Sequence, residues 1–84
     1  MGSFEAFVEI LGGDANIVKA QDLSDGGLAV IVARVEMVDI SSLIDVFGRN
    51  KVHFLKYKVK NKECGAIGID TSQGPLLICD YTIL

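Results

Sequence analysis

The chain has 84 residues, half of them apolar, with a formal net charge of −3. That length holds one small core and excludes a second domain. A mean hydropathy of +0.41 is more than so small a sphere can hide, so part of the apolar surface is expected to lie against a second copy or another partner.

The charge is unevenly divided. Residues 1–48 carry Lys19 and Arg34 against eight acids, net −6, while residues 49–84 carry six bases against three acids, net +3. An acidic face near a basic ribbon, within one chain or between copies, suits this division. No apolar run approaches the ~20 residues that span a bilayer. The start lacks both the basic and the apolar regions of a secretory signal, so a cytoplasmic protein is expected. Two cysteines, Cys64 and Cys79, make no disulfide framework and are expected to stay reduced.

Taken in order, Phe4 to Leu11 reads two ways. Ser3 as cap, the stripe Phe4, Phe7, Val8, Leu11 and the following Gly12 describe a helix. Strict alternation of Phe4, Ala6, Val8 and Ile10 describes a strand, and with only eight residues the strand is preferred. Asn16 to Gln21 is a short strand. Asp22-Leu23-Ser24-Asp25-Gly26-Gly27 is the densest turn signal in the chain, and it leads into Leu28 to Val38. The β-branched density there predicts the central strand. Asp39 to Gly48 predicts a helix near 40–47, capped by Asp39 or Ser41, with Ile40, Leu43, Ile44 and Phe47 on one face. Val52 to Lys60 alternates Leu55, Tyr57 and Val59, expected inward, with Lys56, Lys58 and Lys60, expected outward. Cys64 to Ile69 returns, Thr71 to Gly74 turns, and Pro75 opens a last strand over Leu76 to Ile83. In a symmetric hairpin Cys79 falls opposite Ala66. The order β-β-β-α-β-β-β with short connections predicts an α+β domain, a mostly antiparallel sheet with one helix on a face.

Chemistry has few places to sit. In the first loop, Asp22, Ser24 and Asp25 offer oxygen ligands, and the amides of Gly26 and Gly27 offer an anion cradle. An EF-hand reading fails because loop position 12 falls on Ala33 rather than a glutamate. The plain reading is a turn in which Asp and Ser bond nearby backbone. The segment Ala20 to Val30, AQDLSDGGLAV, resembles A-H-D-V-S-D-G-G-L-A-V of the phosphoribosylformylglycinamidine synthases over 11 residues, with Gln21 at the family's His. The resemblance implies an ATP-binding domain and a helix after Gly27. The residues themselves imply a strand.

Arg49, Lys51, Lys56, Lys58, Lys60 and Lys62 form a basic ribbon that suggests phosphate contacts. Alternation, however, sends Tyr57 away from the lysines, lysines guard strand edges in any case, and the pI near 4.9 argues against nucleic acid. His53, the single histidine, has no ligand at metal spacing. No nucleophile, base and orienter come together, and no phosphate-loop, zinc or heptad signature occurs. No catalytic residue, metal or cofactor is expected. The expectation is a non-enzymatic binding module, a homo-oligomer or a subunit of a larger complex. Its alternative is a nucleotide, phosphate or cation site at Asp22–Gly27.

Overall fold

The computed structural model describes residues 3–59 and 61–81, with the side chains of 4–56, 61 and 65–81 among them. The fold is α+β, with two helices and a five-stranded mixed sheet. The helices are α1 (Ser3–Ile10) and α2 (Ile40–Phe47). The strands are β1 (Ile17–Asp22), β2 (Leu28–Val32), β3 (Val52–Val59), β4 (Lys62–Thr71) and β5 (Gly74–Asp80). Their order across the sheet is β1-β2-β5-β4-β3.

The first segment is a helix, not the preferred strand, so the chain opens α-β-β rather than β-β-β. Two facts decide it. Phe7, Ile10 and Leu11, spaced i, i+3 and i+4, reach the core together, a set that strand alternation would split between two faces, while Phe4 at the helix start stays 78% exposed. The glycine pair then ends the helix with a Schellman motif: Gly12 donates to the Glu9 carbonyl at 3.0 Å and Gly13 to that of Val8 at 2.9 Å, with Gly12 at φ +103°. So short a helix is held by packing rather than by propensity.

The second correction concerns β2, which stops at Val32 instead of Val38. Buried Asn16 takes hold of the chain there. Its Nδ2 donates to the Leu11 and Arg34 carbonyls at 2.7 and 3.0 Å, and its Oδ1 accepts from the Arg34 amide at 2.9 Å. Ala33 N–H donates to the Asn16 carbonyl at 2.8 Å. With its ladder groups taken, the chain leaves the sheet, makes one 3-10 turn at Val35–Met37 and delivers Val38 to the core. Helix α2 follows as expected, with Asp39 as N-cap and Gly48, at φ +104°, as terminator.

The sheet is mostly antiparallel, as expected. β1–β2, β4–β5 and β3–β4 are antiparallel, but β5 inserts beside β2 in parallel, from Leu28↔Leu76 to Val32↔Asp80. The connection between them carries α2 over one face. That face buries Val30, Val32, Ile67, Ile69, Leu76 and Ile78 against Leu11 and Leu43. The expected pairing of Ala66 with Cys79 holds, and Cys79 is a free, buried thiol. The side chain of Cys64 lies outside the described ones.

Among the described residues no helix is long and apolar enough to cross a membrane.

Candidate functional site

The glycine loop is placed by β1 and β2 and closed on itself. Leu23 N–H donates to the Gly27 carbonyl at 2.9 Å, Gly26 N–H to the Leu23 carbonyl at 3.1 Å, and Gly27 N–H to Asp25 Oδ1 at 3.1 Å. The last is an Asx turn. Both amides that would cradle an anion therefore already have acceptors. Asp22, Ser24 and Asp25 are exposed, while Gly27 is buried. What buries it is the β4–β5 turn: a Cβ on Gly27 would run into the Pro75 carbonyl, and one on Gly74 would stand 2.8 Å from Gly27 N. The glycines serve a backbone-to-backbone contact between two turns. Leu28–Val32, immediately after them, is a strand and not the helix that the 11-residue resemblance implies.

The basic ribbon is divided. Arg49 and Lys51 sit in a 3-10 turn just before β3. Lys56 lies on β3 opposite Gly65. Lys58 and Lys62 lie on β3 and β4, with their side chains outside the described ones, and Lys60 is outside the described residues. Alternation also runs opposite to the expected sense. Val52 is core on the helix-covered face, so Phe54 and Lys56 share that face, while His53 and Leu55 are on the other. The helices do not extend over the outer part of β3, which leaves Phe54 69% exposed and Lys56 at the rim of a groove lined by Val35, Ile40, Phe54, Gly65 and Ile67.

One pairing was not anticipated. His53 Nε2 lies 2.9 Å from Asp70 Oδ2, and both side chains are well exposed. The signal was the β3–β4 register, His53↔Gly68 with Asp70 two residues on, which sequence alone leaves free to slip. Among the described residues no hydroxyl or thiol bonds this imidazole. Nor do three His, Cys, Asp or Glu side chains gather as a metal site among the described residues.

The sheet face opposite the helices is apolar as well. Its centre holds Ile31, Ala66 and Cys79, with Leu77 packed on them and Leu55 reaching across Gly68. Lys19 and Gln21 border it on β1, and His53 with Asp70 at the other side. A parallel pair such as β2–β5 is ordinarily covered on both faces and apolar on both. Here both faces are apolar: the helices lie on one, and on the other Ile31, Ala66 and Cys79 are each 6% exposed or less, with Leu55 42% exposed beside them.

A second apolar groove, of about 480 Å³, opens between α1 and the end of α2, with Phe4 and Val46 exposed at its mouth.

Comparison with protein families, characterised proteins and solved structures finds no match to this chain.

Proposed function

We propose that the protein is a non-enzymatic assembly module that stacks the sheet face opposite its helices on that of a second copy. The observation supporting this is that the helices lie on one face of a sheet whose central parallel strands are apolar on both, with Leu55 42% exposed on the other. An apolar centre bordered by Lys19, Gln21, His53 and Asp70 has the composition of an interface core with a polar rim. Two such faces pack about 10 Å apart with their side chains interdigitated. Leu55 and Leu77 would be the first to lose water. The acidic and basic halves of the chain would steer the encounter.

The alternative, an anion or nucleotide site at Asp22–Gly27, has less support, because its two amides are already bonded within the loop.

Light scattering tests the assembly. One species at twice the 9.0 kDa chain mass, unchanged on dilution to micromolar concentration, is expected. Leu77→Lys should give a monomer of unchanged far-UV circular dichroism. A wild type that is monomeric at micromolar concentration overturns the reading.

A further inference from the structure

We propose a second binding surface at the outer edge of β3, which takes an extended acidic segment of a partner protein and seats one of its apolar side chains in the groove beside Gly65. This surface is distinct from the sheet face opposite the helices.

The first observation is backbone. β3 pairs with β4 through eight unbroken register positions, Val52↔Ile69 to Val59↔Lys62, and no strand pairs with its other side among the described residues. Such an edge presents a row of N–H and C=O groups ready to accept one more strand. The opposite edge, β1, is different: its register shifts between Ile17 and Lys19, a bulge of the kind that spoils an edge for pairing.

The second observation is Gly65. A glycine inside a strand weakens it and normally marks a tight approach or an unusual dihedral. Gly68 has such a reason, since a Cβ there would stand 2.9 Å from Leu55 Cδ1. Gly74 has one as well, against Gly27. Gly65 has neither, because its φ is not positive and a Cβ there would meet nothing within 4 Å. What its missing side chain does is leave open a groove of about 580 Å³ between Phe54 and the pair Val35 and Ile40. A strand added to β3 lies about 10 Å from β4, two strand spacings away. A leucine or phenylalanine on the added strand can lean across β3 into that space.

The third observation is charge. Arg49, Lys51 and Lys56 are exposed along the approach and edge of β3 and make no ion pair among the described residues. Carboxylates on the added segment would supply the missing partners. A second copy pairing β3 with β3 across a two-fold axis would instead bring two Lys56 side chains to neighbouring positions on one face, which is repulsive. The cations favour an acidic strand over a self-pair.

The test uses a synthetic octapeptide alternating glutamate with leucine and phenylalanine, titrated into the isotope-labelled full chain and followed by amide shifts. Saturable shifts over Val52 to Lys56, weakening as salt is raised, are expected. A matching peptide with lysine in place of glutamate should bind at least tenfold more weakly. Gly65→Val should fold at least as well as wild type, because valine prefers a strand and finds open space, yet bind the acidic peptide at least tenfold more weakly. Lys56→Glu should reverse the preference between the two peptides. Absence of shifts at β3, or equal binding by folded Gly65→Val, overturns the proposal. Repeating the titration on Leu77→Lys separates this surface from the assembly face, since peptide binding there should persist whether or not the dimer forms.

Discussion

Gly27 and Gly74 meet backbone to backbone: a Cβ added to Gly74 would lie 2.8 Å from Gly27 N and 3.1 Å from Gly27 Cα. The contact joins the β1–β2 loop to the β4–β5 turn at the end of the parallel β2–β5 pair, so it fixes where β5 enters the sheet. Neither residue has room for a methyl group, and Gly74 adds a φ of +120° that L side chains rarely adopt. Gly27→Ala and Gly74→Ala should each destabilise by about 1–3 kcal/mol. The double variant should cost less than the sum, because both break one contact. Urea denaturation of the four proteins checks this; strict additivity would mean that the turns do not depend on each other.

Asn16 holds three backbone groups from two segments, the end of α1 and the exit of β2, and is only 5% exposed. Asn16→Ala would leave the Leu11 carbonyl and both backbone groups of Arg34 without these partners. A cost of about 2–3 kcal/mol is expected, which for a domain of this size lowers Tm by roughly 10–20 °C. Asn16→Asp keeps the acceptor but loses both donated bonds and should be no better. Calorimetry at neutral pH decides; a loss of a few degrees would place the hold elsewhere.

These two residues also mark where the sequence was legible and where it was not. Local signals read well: Asp39 and Gly48 bound α2, Pro75 lies at the start of β5, and Ala66 pairs with Cys79. Long-range effects were hidden. The β-branched density from Leu28 to Val38 looked like one strand, but Asn16, 18 residues before Arg34, takes the ladder groups. The lysine face of β3 looked like the solvent face, and it is the helix-covered face at a place the helices do not reach. Short connections suggested antiparallel neighbours, but the connection through α2 places β3 at the far edge, and the chain returns through β4 to set β5 beside β2. The Asp22–Gly27 loop was legible as a turn, whereas its buried contact with Gly74 depended on a strand order that no local pattern encodes.

The engaged amides of that loop make a direct prediction. Titrating ATP or inorganic phosphate into the labelled protein should leave the Gly26 and Gly27 amides unshifted, because each already donates within the loop at 3.1 Å. An anion would have to displace those bonds and approach beside the Asp22 and Asp25 carboxylates, against their charge. Saturable shifts at both glycines would restore the nucleotide reading that the 11-residue resemblance implies.

Asp39 ties α2 to pH. Its Oδ2 accepts from the Ser42 hydroxyl at 2.8 Å and its Oδ1 from the Ser42 amide at 3.2 Å. These bonds, the hydroxyl first, hold its carboxyl below the ordinary aspartate range. A group whose pKa is lower folded than unfolded stabilises the fold above the unfolded value, about 3.9 for aspartate, and loses that contribution as pH falls through the folded value. Wild type should therefore exceed Asp39→Ala in Tm at neutral pH, and the gap should close in acid. Asp39→Asn keeps a capping acceptor for the Ser42 amide and should fall between them, with a gap to Asp39→Ala that does not change over the same pH range. Thermal melts from pH 7 down to pH 2 measure all three. A wild-type advantage that persists undiminished at the acid end would show that the Asp39 cap acts without its charge, and no advantage at neutral pH would show that α2 is held by Leu43 and the core alone.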